Sequence, residues 1–418
     1  MQSNSHLGVA PHHNENHGHL DAHNPAKHTI KVFNNHNSQH KIELVSSFSI
    51  TKKHDIEIFG CAFDVKDENI AIACGDGTIR IFDQKKEHSH DPITIKTHQY
   101  TSLMSIDPPL TCLKWRKRKD PLASVDTYQV GVGNEVIADD PKAPNNILCV
   151  SADGCMKEVS LQSHKQVFER TDDQANQLYA LDIDNKGYHF ATAGLDTQIR
   201  VYDEHTKKLV AKMHSTQSIS GHSNRVQCLK FSPYKEEMLF SGGWDNDVFM
   251  YDLRQKEPVL GFNGPQINGE AIDIHHGGLL LTGSYTPNNC LQLWDLRKHT
   301  EPARTIDWDG GDKDSSGNWI NNFEEYSQNS TSLGEANAFL YAAKFNIEGN
   351  LIFACGGSGK NELRVFNFAD GQLVGCMHNF EAPLFSLDVS KQQGTNKAAF
   401  GSADSFLRVI HVAQNKTQ

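Results

Sequence analysis

Residues 221–252 read GHSNRVQCLKFSPYKEEMLFSGGWDNDVFMYD, and the last nine of them decide how the rest of the chain is read. WDNDVFMYD places Asp245 in a short turn, runs on as an alternating strand, and closes on a large apolar residue followed by a polar one, Tyr251 and Asp252. An aspartate in such a bend satisfies backbone donors with its own carboxylate. The figure returns as GDGTIRIFD (75–83), ADGCMKEVS (152–160), LDTQIRVYD (195–203) and ADSFLRVIH (403–411). Shorter versions close at LQLWD (291–295) and LRVFN (363–367). The turn aspartate recurs as Asp76, Asp153, Asp196 and Asp404, whereas Asn288 and Lys360 replace it in the fifth and sixth copies.

The closing polar residues stand at 83, 160, 203, 252, 295, 367 and 411, so the steps are 77, 43, 49, 43, 72 and 44. That is seven copies of a unit near 43 residues, with insertions before the second and sixth closures. A period of ~40–45 residues built from short strands is the signature of a propeller. One four-stranded blade has two apolar faces and buries neither alone, so each blade must stack between neighbours. Runs such as VQCLKF (226–231) and LYAAKF (340–345) suit the inner strands of such a stack.

These residues resemble the WD40-repeat family over about residues 42–412, most strongly in Gly221-His222, Trp244-Asp245, Tyr251-Asp252 and Leu293-Trp294-Asp295. Gly-His occurs in this copy alone, although His54 occupies the matching place in the first. The fold expected is all-β, a seven-bladed WD40-type β-propeller with a disordered N-terminal tail. Its domains are a His/Asn-rich tail over residues 1–40 and one propeller over 41–418, with insertions near 114–147 and 307–335. The resemblance further implies that the leading strand at residues 42–50 completes the last blade. It also implies that His222, Ser241, Asp245 and Tyr251 form a structural hydrogen-bonded network, with Tyr251 in the family's tryptophan place.

The 418 residues are 38% hydrophobic and 22% charged, too apolar for a wholly disordered chain. A net charge of −11 opposes nucleic acid and anionic membrane. No eighteen apolar residues run together, and the N-terminus has no apolar core of a signal peptide. Nine cysteines without a C-x-x-C pair fit reduced thiols in a cytoplasmic protein, with a ciliary or cytoskeletal assembly as the alternative location.

Several stretches imitate chemical sites. His222, Ser241 and Asp245 have the residue types of a serine hydrolase, but no G-x-S-x-G elbow accompanies them. GGSGK at 356–360 lacks the first glycine and the Ser/Thr of a phosphate loop, since Ala354 and Asn361 stand there, and a strand follows it. DKDSSG at 312–317 opens like a calcium loop, yet Phe323 holds the place of the bidentate glutamate. The surrounding 307–335 stretch carries seven acids against one base. KWRKRK at 114–119 is the one dense basic run, and it starts inside an inner strand. Nine histidines in the first 40 residues lack the spacing of a defined metal site. The expectation is no enzyme, no cofactor, no nucleic acid and no membrane.

Three surface features remain. Leu195 and Trp244 precede turn aspartates, a place the family puts on its top face, where each is either a binding anchor or packing. Aligning inner strands on Val226 gives a column, Phe59, Thr111, Tyr179, Gln227, Glu270, Tyr341 and Phe385, whose aromatics either ring the channel mouth or pack between blades. Arg254 and Arg297 repeat Asp-x-Arg on successive copies, which resembles the box of WD-repeat receptors for a cullin–RING ubiquitin ligase and also suits a plain turn. The function expected is a monomeric, non-catalytic scaffold that binds proteins or peptides in a larger assembly, with the ligase receptor as alternative.

Overall fold

The computed structural model describes residues 30–35, 38–50, 56–85, 92–97, 107–116, 146–171, 176–213, 215–216, 219–308, 338–357 and 360–414. Strands alone appear among them, in seven antiparallel sheets. Blade 1 is Ile58–Phe63, Asn69–Cys74, Thr78–Asp83 and Ile93–Lys96, paired in that order. Blades 2 to 7 repeat the plan from inner strands Leu110–Trp115, Leu178–Ile183, Val226–Phe231, Ile272–His275, Phe339–Phe345 and Leu384–Val389.

The core lies between blades rather than at the centre of the molecule. Buried apolar side chains form seven clusters, one per pair of neighbouring blades. Strand alternation sorts them: in blade 6, Ile352 and Ala354 face blade 5, while Leu351, Phe353 and Cys355 face blade 7. Both faces are covered, which is why these short strands read as continuous apolar runs.

The ring is closed by strand His40–Ser49, which pairs with Phe406–Gln414 as the outer strand of blade 7 and buries Ile42. The leading strand expected to complete the last blade is therefore present. The tail expected over residues 1–40 must be shortened: Lys31–Asn34 form a fifth strand on the outer edge of blade 6, paired with Leu373–His378. Asn34 then clasps Ile42 by accepting from its backbone N–H at 2.6 Å, tying this strand to the closing one. Gly375 is the reason the strand fits, because a Cβ there would press on the carbonyl oxygen of Phe33 at 2.5 Å. Residues 1–29, His54, the 312–317 loop and most of both insertions lie outside the described residues.

A bulge recurs in six of the seven inner strands. The ladder to the second strand skips one residue at Phe59, Thr111, Tyr179, Gln227, Tyr341 and Phe385. These are the residues aligned as a column in the sequence. An unpaired bulge residue bends the strand and re-aims its side chain, here at the end where each inner strand begins.

Candidate functional site: an aromatic rim over a charged channel

In an antiparallel blade, the start of the inner strand and the turn between second and third strands share one rim; the other two turns share the opposite rim. The bulge column therefore meets Leu195 and Trp244 at one rim. Phe59 stacks on Phe385 with ring centroids 5.6 Å apart, and Phe385 meets Tyr341 edge-on at 4.9 Å. Tyr341 touches Tyr285 at 5.2 Å, and Tyr285 lies parallel to Trp244 at 6.5 Å. The Arg225 guanidinium covers Trp244 at 4.6 Å, and Trp244 Nε1 donates to Asn268 at 3.0 Å. Beyond Arg225 come Tyr179, which hydrogen-bonds Gln177, and Leu195, which is 41% exposed.

The arc covers every blade except the second, where Thr111 instead donates to the Leu178 carbonyl at 2.7 Å. Tyr341 is 7% exposed, so packing between blades describes it; Phe59, Phe385, Tyr285, Trp244 and Tyr179 each keep an accessible part. Tyr285 and Arg225 were missed in the sequence because they lie outside the inner strands, in an enlarged turn and before Val226 respectively.

Below the arc the channel is lined by charge. The position three residues after the column reads Ala62, Lys114, Asp182, Lys230, Asp273, Lys344 and Asp388 around blades 1 to 7, alternating in sign except at Ala62. Asp182, Asp273 and Asp388 each accept the backbone N–H of the next blade, from Phe231, Phe345 and Phe63 at 2.7, 2.9 and 2.9 Å. Lys230 pairs with Asp273 at 2.9 Å and Lys344 with Asp388 at 3.5 Å.

Glu270 departs from its column. The inner strand of blade 5 begins only at Ile272, and Gly269 passes under Tyr341, where a Cβ would collide with the Tyr341 carbonyl oxygen. Glu270 thus reaches Lys114 at 2.6 and 2.7 Å and Lys344 at 2.7 Å, bridging three blades. Burial alone would raise its pKa, but the two ammonium groups outweigh it and hold the carboxylate below its ordinary range. Asp388 is likewise held at about 2: burial opposes, and Lys391, Lys344 and Lys114 prevail.

The hydrolase look-alike is a sealed strut. His222 joins Asp245 at 2.9 Å and Ser241 at 2.7 Å, and Tyr251 is buried in the same blade, on the strand paired with that of Ser241. Ser241 sits mid-strand and is fully buried, so no substrate reaches its oxygen. In copies without the histidine an arginine four residues on replaces it: Arg80, Arg200 and Arg408 pair with Asp76, Asp196 and Asp404 at 2.7, 2.5 and 2.9 Å. Of the basic run, residues 117–119 lie outside the described residues, and the two described basic members are engaged within the propeller. Lys114 points into the channel, and Arg116 pairs with Glu204 at 2.8 Å at the base of the insertion that resumes at Asn146. At the opposite rim each Asp-x-Arg arginine is clasped by its own aspartate: Arg254 by Asp252 at 2.7 and 3.1 Å, Arg297 by Asp295 at 2.8 and 2.9 Å. Among the described residues no group of three or more His, Cys, Asp or Glu is arranged to hold a metal ion.

The WD40 pattern (WD domain, G-beta repeat) matches residues 43–83 and 213–252, two of the seven units seen in the structure. The chain carries WD40 repeats. It is 32% identical over 108 residues to Protein FIZZY-RELATED 1 of Arabidopsis thaliana, covering 25% of this chain and 20% of that one. It is 23% identical over 214 residues to the APC/C activator protein CDH1 of Saccharomyces cerevisiae, covering 40% and 36%. The GATOR2 complex protein WDR24 of Danio rerio matches at 28% over 107 residues, 23% of this chain and 14% of that protein. Each match thus spans well under half of the relative. By their names, CDH1 activates the APC/C and WDR24 belongs to the GATOR2 complex.

Proposed function

We propose that this WD40 protein is a non-catalytic scaffold that docks partner proteins or peptides on the aromatic rim. The observation that carries the reading is the arc itself. Side chains from six blades meet along one edge of the channel mouth, and four of them, Phe59, Tyr179, Tyr341 and Phe385, are bulge residues, each of which costs its inner strand a ladder position. Rigid, partly exposed aromatic faces give large contact area at little entropic cost, which suits an anchor site. The chain is proposed to act as a monomer in the cytoplasm or, alternatively, in a ciliary or cytoskeletal assembly; its nine cysteines are all buried and unbonded.

A second reading, the substrate receptor of a cullin–RING ubiquitin ligase, rests on Arg254 and Arg297 at the opposite rim, whose side chains are 51% and 85% exposed. Proximity labelling in cells separates the two. Phe59→Ala with Phe385→Ala is expected to lose most labelled partners, and Arg254→Ala with Arg297→Ala to keep them. The reverse pattern would favour the receptor.

A further inference from the structure

We infer that the outer edge of blade 6 is a strand-addition site for an extended segment of a partner protein, covered by residues 30–35 of this chain until such a segment displaces them. The outer strand of that blade is unlike its counterparts. Leu373–His378 is buried along its length up to a half-buried His378. The outer strands of blades 1 to 4, Ile93–Lys96, Lys165–Thr171, Leu209–Lys212 and Glu257–Asn263, each present exposed residues to solvent. Leu373, Val374, Cys376 and Met377 thus make an edge that needs a cover, because open backbone groups beside apolar side chains are a template for another strand.

Residues 30–35 cover it as a bound peptide would, with backbone pairing for adhesion and side chains on alternate faces for selectivity. Lys31–Asn34 pair antiparallel with residues 375–378. Phe33 packs on the cluster between blades 5 and 6, and Ile30 on the one between blades 6 and 7. Asn35 donates from its backbone N–H to the Val374 carbonyl and from Nδ2 to the Leu373 carbonyl, both at 2.9 Å. Asn34 makes two bonds to the backbone of Ile42, at 2.6 and 3.2 Å. Blade 4 carries Leu260 where blade 6 has Gly375, each opposite the residue before the closing aromatic, and it has no fifth strand among the described residues. A matching partner segment is therefore extended, with an aliphatic residue, an aromatic three places on, and then two asparagines. The cover is exchangeable because only four residues pair, Lys31 and Val32 stay exposed, and short terminal strands are the first to open. A partner competes with a strand held at high local concentration, so the tether sets how tightly it must bind.

The test uses the full chain and a fluorescein-labelled peptide of residues 28–37, HTIKVFNNHN, read by fluorescence anisotropy. Phe33→Ser with Asn35→Ala loosens the chain's own strand, and this protein is expected to bind the peptide at least about tenfold more tightly than the unaltered chain. Adding Gly375→Val to the loosened protein should abolish binding, and so should serine in place of the peptide's phenylalanine. Phe59→Ala with Phe385→Ala should leave binding unchanged, which separates this edge from the rim. No binding by the loosened protein overturns the inference, as does equal binding of a scrambled peptide or binding that survives Gly375→Val. If the loosened protein loses its cooperative melting, the strand is permanent structural cover and the inference falls as well.

Discussion

At one rim Tyr285 leans on Tyr341 and lies parallel to Trp244; at the other, Arg254 and Arg297 are each gripped in two-pronged fashion by the carboxylate two residues back. The two edges already differ in backbone, because six of the seven inner strands carry their bulge at the aromatic rim. Ring contacts leave part of each face unused, whereas a fork offsets the charge of its arginine and engages its Nε and one Nη. Satisfied exposed pairs add little to stability and little to recognition. The asymmetry between the rims is thus written in backbone and side chains together, above all in the bulge column.

The comparison presupposes a closed ring, and opening the ring should have the largest effect. Deleting residues 1–50 removes the outer strand of blade 7 with buried Ile42 and is expected to cost at least about 5 kcal/mol. Deleting 1–36 removes only the fifth strand of blade 6 and should cost about 1–3 kcal/mol, with deletion of 1–29 changing nothing. Denaturant unfolding of the three proteins checks the order; equal stabilities would break the closure account.

Next comes the floor beneath the aromatic rim. Glu270→Ala strands Lys114 in the channel, leaves Lys344 only Asp388, and is expected to lose about 3–5 kcal/mol, whereas an Arg297→Ala change at the other rim should leave the melting temperature where it was. A tolerated Glu270→Ala would mean that channel water replaces the carboxylate and that the floor does not support the arc.

Acid offers a finer probe. Asp388 titrates at about 2 in the folded protein, below the ordinary carboxyl value, so its stabilisation is complete above about pH 4 and disappears as pH falls toward 2. Asp388→Asn should therefore lower stability at pH 7 by ~2–3 kcal/mol and flatten its dependence between pH 4 and 2. A parallel acid curve for the variant would show that the ring charges are not coupled to folding. The smallest effect is expected at the exposed faces: Tyr285→Ala with Phe385→Ala should shift the melting temperature by only a few degrees, since both rings keep solvent contact. A large shift would turn the arc from a binding surface into packing.

Much of this was readable in the chain. Seven closures at a near-constant step gave the blades, and the alternation over residues 42–50 gave the closing strand, because both patterns are long and two-sided burial enforces them. The four residues KVFN at 31–34 were too short to stand out between asparagines and histidines; their strand exists because Gly375 leaves room for it. The column was visible, but the bulge that aims it is a backbone event with no residue signature. Tyr285 and Arg225 join the arc only through the meeting of separate blades, and Glu270 left its column because blade 5 starts late.

The alternating charges of the channel carry one more consequence. Seven is odd, so a ring of opposite signs cannot close on itself, and one place must be neutral; Ala62, in the blade that follows the closure, is that place. Exchanging two neighbours among blades 2 to 7 would set like charges side by side in a confined space. The alternation therefore favours the native order of these blades over most exchanged ones.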